Sequence, residues 1–165
     1  MCTLNKKYLT SCVYLVFFAF SFFYGHAQQS KLPKAMPAKV EIGYDENGGM
    51  SPYFKHISIV QDSLHVKERS LEHPTAVDYA VKIDMIETKN IYQTFVANKF
   101  DRIKNNKPKF ITYDASSTGI TLIVNDKITY QKNSGMNSPM NTIDLKRYMV
   151  IRETILNLYK KYRAE

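Results

Sequence analysis

Cysteine is nearly absent from this 165-residue chain: the two present, Cys2 and Cys12, both lie within the first twelve residues. Everything downstream lacks a thiol, which excludes a disulfide framework and a cysteine nucleophile there. Motifs of chemistry are missing as well. There is no G-x-S-x-G elbow, no H-E-x-x-H helix and no Gly-rich phosphate loop. Asp45-Glu46-Asn47-Gly48 opens like a calcium loop. An EF-hand, however, needs glycine at its sixth position and glutamate at its twelfth. Counted from Asp45, those positions hold Met50 and His56. After the first thirty residues no long apolar run occurs.

Those first residues carry the clearest signal. Lys6 and Lys7 precede a charge-free apolar run from Tyr8 to Tyr24, and Gly25-His26-Ala27 follows with small residues. This is the order of a secretory signal peptide, with the cut expected between Ala27 and Gln28. The run falls short of the roughly 20 residues that span a bilayer, which disfavours an uncleaved anchor. Leu9-Thr10-Ser11-Cys12 resembles a lipoprotein box, but it precedes most of the apolar segment and is rejected. The expected product is exported, periplasmic or secreted. It has no stable membrane anchor after cleavage, and both cysteines are lost with the leader. The formal charge of +8 loses the two leader lysines and stays basic. Acidic glycan, lipid headgroups or an acidic protein are the partners such a surface attracts, whereas nucleic acid is not expected outside the cytoplasm.

Residues 28–38, with Pro33 and Pro37, show no apolar period and read as a flexible lead into a single domain over 39–165. Val40, Ile42 and Tyr44 alternate with Lys39, Glu41 and Gly43, the period of a half-buried strand that ends at Asp45-Glu46-Asn47-Gly48-Gly49. A hairpin follows, Tyr53–Val60 and Leu64–Arg69. Taking Asp62-Ser63 as its tip pairs Ile59 with Val66 and puts His56 opposite Arg69. Tyr79, Val81 and Ile83 mark a further extended piece. Asp84 with Glu87 opens a helix with the stripe Ile91, Tyr92, Phe95 and Val96, followed by Phe100 and Ile103. Further strands are expected at Phe110–Asp114, Gly119–Val124 and Ile128–Gln131. A closing helix, capped by Asn141 or Thr142, carries the stripe Leu145, Tyr148, Ile151, Ile155, Leu158 and Tyr162. Tight hairpins imply antiparallel pairing. The expected fold is therefore α+β: an antiparallel sheet of five or six strands with two helices on one face. Gly49-Met50-Ser51-Pro52 is echoed by Gly135-Met136-Asn137-Ser138-Pro139, which reads as similar loop chemistry and not as a duplicated unit.

His56, His65 and His73 follow the leader. In the register above the first two sit about 13 Å apart along the strands, too far to share a metal. No metal or cofactor is expected. Asp114 and Asp101 are the candidate acids of a small hydrolase, without a partner that the sequence identifies. The segment from Asn47 to Phe54 stands out more. Two glycines allow close backbone approach, and Met50 with Tyr53 and Phe54 supplies apolar contact. The partner-binding candidates are Gly48, Gly49, Met50 and Tyr53.

Val40-Glu41-Ile42 before Gly48-Gly49, Phe100-Asp101-Arg102-Ile103 after the first helix, and Tyr113-Asp114 before Ile120-Thr121-Leu122 follow one order. That order, over most of Lys39–Tyr162, resembles the emfourin-like proteins, small bacterial proteins whose namesake inhibits thermolysin-like metalloproteases. The chain departs from that pattern in its leader and in the extended stretch Arg69–Ile83. The resemblance implies a loop of Gly48, Gly49 and Met50 offered to a protease cleft. The function expected is thus a non-catalytic protein-binding module, in its sharpest form a protease inhibitor acting on an extracytoplasmic protease. The alternative is an accessory envelope protein that binds acidic glycan or lipid through Lys146, Arg147, Arg152, Lys160, Lys161 and Arg163.

Overall fold

A computed structural model describes residues 30–70, 74–108, 111–113 and 115–163. The expected leader, both cysteines, His73 and Asp114 lie outside these. Residues from Leu32 onward form one compact unit.

The strands are β1 (Val40–Asn47), β2 (Phe54–Val60), β3 (Ser63–Arg69), β4 (Val77–Lys82), β5 (Ser117–Val124) and β6 (Lys127–Asn133). They form a six-stranded sheet ordered β4-β3-β2-β1-β5-β6, and every pairing is antiparallel. Two helices, α1 (Met85–Ala97) and α2 (Thr142–Tyr162), accompany it. The α+β architecture is as expected.

Alternation decides which face is buried. Val40, Ile42 and Tyr44 share a face with Ile57 and Ile59, with Leu64 and Val66, and with Ile120 and Leu122, and all nine are buried. Ile91, Tyr92 and Phe95 of α1 join them in the core, with Tyr148, Ile151 and Ile155 of α2. Phe95 meets Phe100 edge to face, with ring centroids 4.8 Å apart.

Several expectations are corrected. The tip of the β2–β3 hairpin is Gln61-Asp62, with Gln61 at φ 54°, so Ile59 pairs with Leu64 and Ile57 with Val66. The shift from the expected register is two residues. A shift of two preserves the buried face, and it sets Leu64 directly opposite Ile59. Residues 111–113 are not a strand; Ile111 and Tyr113 are largely exposed. The sixth strand is instead β4, which pairs along β3 from Glu68–Val77 to Ser63–Lys82. β1 runs on to Asn47, three residues past Tyr44. The stretch expected as a flexible lead packs from Leu32 on. Leu32 and Met36 lie against the core, Tyr92 donates to the Pro33 carbonyl and Gln93 to that of Lys34. Two isolated apolar residues between prolines carry no period, so the pattern that finds strands and helices misses them.

On α2 the buried set is Asp144, Tyr148, Ile151, Ile155, Leu156, Leu158 and Tyr159. Leu145, expected in the stripe, is 39% exposed. Asp144 takes the inward position one residue earlier because it is satisfied there. Asn141 Oδ1 accepts from the Asp144 N–H at 2.9 Å, and Asn141 Nδ2 donates to Asp144 at 2.7 Å. Arg147 and the Lys104 N–H donate to the same carboxylate. This N-cap closes the first turn of the longest element, so Asn141→Ala is expected to cost about 1 kcal/mol in urea unfolding.

Candidate functional site

The inward phase of two strands ends in a carboxylate. β1 reads Val40, Ile42, Tyr44, then Glu46; β3 reads Leu64, Val66, then Glu68. The pairing puts them in one row across the sheet: Asn133, Thr118, Glu46, Lys55, Glu68 and Val77, one from each strand. Buried charges need partners, and α2 supplies one to each carboxylate, Arg152 to Glu46 and Tyr159 to Glu68. Arg152 Nε donates to the Tyr44 hydroxyl at 3.3 Å, and that hydroxyl donates to Glu46 Oε2 at 3.1 Å. Tyr53 OH donates to the same oxygen at 2.9 Å, and the Arg152 guanidinium lies 3.7 Å from Glu46 Oε1. One strand pair away, the Tyr159 hydroxyl lies 2.9 and 2.7 Å from the two oxygens of buried Glu68. Lys55 stands 3.7 Å from that carboxylate and 4.4 Å above the Tyr159 ring, and Arg163 approaches it at 3.6 Å. Tyr148 shares a 2.9 Å hydrogen bond with Thr118.

Burial pushes all four phenols up. For Tyr53 and Tyr159 the bonded carboxylate adds to that shift, because a phenolate cannot donate to it. For Tyr44 burial acts against the stabilising bond from Arg152. Tyr148 is raised to about 12, chiefly by burial. Both carboxylates are thus held by phenol donors and cations. The arrangement fixes the loops that leave this end of the sheet.

The first of those loops joins β1 to β2 and carries the four sequence candidates. Asn47 Oδ1 accepts from the Gly49 N–H at 2.9 Å, and the Ser51 N–H donates to the Gly48 carbonyl at 3.3 Å. Gly48 N–H reaches the Tyr53 carbonyl at 3.1 Å, and Ser51 Oγ accepts from the Tyr53 N–H. Gly49 has φ 69°, in the left-handed region that a side chain disfavours. Met50 projects from the turn 80% exposed. Gly48 and Tyr53 line a cleft of about 420 Å³ with Ser51, Lys55, Glu68 and Arg163. The loop therefore separates its candidates: Gly48 and Tyr53 face the cleft, and Met50 faces solvent. A neighbouring cleft of about 360 Å³ is lined by Glu46, Thr118, Asn133, Gly135, Met149 and Arg152.

Sequence reasoning missed Glu46, Lys55, Glu68 and Tyr159, and it placed Arg152 on a basic surface where the structure pairs it with Tyr44 and Glu46. The available signal was an acid in the apolar phase of a strand, hidden where Glu46 was assigned to a turn. The other candidates disperse. Asp101 lies in a short 3₁₀ turn (Phe100–Arg102), 3.6 Å from Arg102. In the true register His56 pairs with Lys67 and His65 with Ser58, so the two histidines are closer than expected. His56 nonetheless bonds Asp45 at 2.7 Å, and His65 bonds Ser63 at 3.0 Å. Among the described residues no three His, Cys, Asp or Glu side chains converge on a metal position, and no helix is long and apolar enough to cross a membrane. In comparisons with known proteins, the chain matches no family model and no curated protein.

Proposed function

We propose that this protein is a protein-binding module that works through the β1–β2 loop, and that its partner is an extracytoplasmic protease of the thermolysin-like class. The observation that carries the reading is an exposed Met50 on a turn whose backbone is already hydrogen-bonded in place. A contact residue on a fixed loop loses little entropy when it binds, which is how rigid loops gain affinity. The polar row behind the loop supports this, since Tyr53 ties the loop's second limb to Glu46. The protease class comes from the resemblance to emfourin-like proteins, and export from the leader expected over residues 1–27.

The glycan or lipid alternative has less support. Of its six cations, Arg147 is paired with Asp144, Arg152 with Glu46 and Glu153, Lys161 with Glu87, and Arg163 with Glu68. The test is direct. Residues 28–165 are mixed with thermolysin, and residual peptidase activity and complex formation are measured. Inhibition that Gly49→Ala weakens about fivefold is expected, because the left-handed residue costs alanine roughly 1 kcal/mol. Full activity with no complex at micromolar protein would end the inhibitor reading.

A further inference from the structure

β6 closes one side of the sheet, with β5 as its only strand neighbour among the described residues. An edge strand offers unpaired backbone N–H and C=O groups to any strand that meets it. The hairpin decides which residues offer them. β5 and β6 are joined at Asn125-Asp126, with φ 48° and 65°, and Val124 pairs with Lys127. In such a hairpin the closing pair exchanges hydrogen bonds, and bonded pairs then alternate with unbonded ones. Lys127, Thr129 and Gln131 therefore bond β5, while Ile128, Tyr130 and Lys132 turn their backbone groups to the open edge. The Lys132 carbonyl fits this assignment, because it accepts from Asn105 Nδ2 at 2.6 Å. No strand or side chain among the described residues covers Ile128 and Tyr130 in that way.

The side chains at this edge are as open as its backbone. Ile128 is 66% exposed and Tyr130 51%, on the sheet face opposite the buried Ile120 and Leu122. The Tyr130 ring lies over Gly119, where a Cβ would meet its hydroxyl at 2.6 Å. Edge strands that stay single are guarded by a central charge, a proline or a bulge. β6 has its charges at Lys127 and Lys132, and Ile128-Thr129-Tyr130-Gln131 between them carries none.

The strand is complementary to itself. Antiparallel pairing about a two-fold axis at Thr129 sets Ile128 against Tyr130 of a second copy, and Tyr130 against that copy's Ile128. Only free backbone groups are used, and apolar side chains meet apolar ones. The same register brings Asp126 of each copy to Lys132 of the other. Asp126 holds only the exposed Lys39 in its own chain, and Lys132 is exposed with no ion pair among the described residues. An axis at Tyr130 would instead set Ile128 against Lys132, whose carbonyl Asn105 already occupies.

We propose that β6 pairs antiparallel with β6 of a second copy of this chain, joining two sheets into one through Ile128 and Tyr130, with Asp126 and Lys132 closing each end. The pairing stands apart from the protease reading and leaves the β1–β2 loops free. β1 and β6 both run antiparallel to β5, so the loops of the two copies leave opposite ends of the joined sheet.

Sedimentation equilibrium on residues 28–165 tests it, with a dimer of about micromolar dissociation constant expected. Ile128→Lys puts a cation against Tyr130 and diagonal to Lys132 of the other copy, and Lys132→Glu puts like charges together. Each change acts twice across the axis, so each should raise the dissociation constant roughly tenfold. Val77→Lys on β4, the opposite edge, should leave it unchanged. Urea midpoints of the three variants should match the wild type, since all three residues are exposed. Single cysteines read the register directly, because this segment has no cysteine of its own. Thr129→Cys faces itself across the axis at about 4.5 Å between Cβ atoms and should oxidise to a disulfide dimer. Lys127→Cys lies more than about 13 Å from its copy and should not. A wild type that stays monomeric at about 100 µM overturns the proposal. So does a dimer that Ile128→Lys leaves intact, that Val77→Lys dissociates, or that Thr129→Cys fails to cross-link.

Discussion

Glu68→Ala is expected to destabilise the protein by about 3 kcal/mol, among the largest effects of any single polar substitution in the fold. The Glu68 side chain is 11% exposed and that of Lys55 15%. Removing the carboxylate leaves the Lys55 ammonium nearly buried above the Tyr159 ring without its anionic partner, and leaves the Tyr159 hydroxyl without its acceptor. Breaking a buried pair by deleting one member costs more than the pair contributes, because the survivor keeps its desolvation penalty. Glu68→Gln should cost clearly less, since a neutral acceptor still faces Tyr159. Urea unfolding followed by circular dichroism measures both. A midpoint for Glu68→Ala indistinguishable from wild type would mean that water reaches this row freely and that the loops are not braced by it.

The second large effect is expected at high pH. Phenols in an unfolded chain ionise near 10. In the folded protein Tyr44, Tyr53, Tyr148 and Tyr159 all hold their protons above that value. Below about pH 10 both states are protonated, and stability is unaffected by these groups. As pH rises further, the unfolded state releases protons first and is favoured. For Tyr148, raised to about 12, the loss amounts to roughly 3 kcal/mol once pH passes that value. The other three add to the slope. Urea midpoints should therefore hold to about pH 10 and then fall steeply. Absorbance at 295 nm should show a set of tyrosines ionising together with unfolding. If every tyrosine titrates near pH 10 while circular dichroism stays native, the phenol–carboxylate row is open to solvent.

Much of the fold was legible because two periods are hard to mistake. Val40, Ile42 and Tyr44 announce a strand with one wet face, and Ile91, Tyr92 and Phe95 announce a helix. Asp84 and Asn141 mark helix starts, and both act as caps, accepting from the Ile86 and Asp144 N–H groups. Where local chemistry was ambiguous the reading failed. Asp62-Ser63 is a plausible turn, but a turn at Gln61-Asp62 lets Ile57, Ile59, Leu64 and Val66 meet in directly opposed pairs. Phe110–Asp114 has the composition of a strand, but residues 111–113 form none; the Thr112 backbone bonds the Asn137 side chain instead of a neighbouring strand.

The candidate loop was half visible. Gly48, Gly49 and Met50 stand out in sequence by their flexibility and by the apolar residues beside them. Only the sheet order shows that a second turn of the same build, Asn133-Ser134-Gly135-Met136, leaves the same end of the sheet.

By itself, then, the sequence determined most of the elements, because hydrophobic period, caps and turn residues act within a dozen positions. Tertiary structure decided which elements are neighbours. It set Glu46 beside Lys55 and Lys55 beside Glu68, brought Tyr159 onto Glu68 from 91 residues away, and aligned the ends of β1 and β6 across β5. Those contacts depend on register between segments far apart in the chain, and no local pattern encodes it.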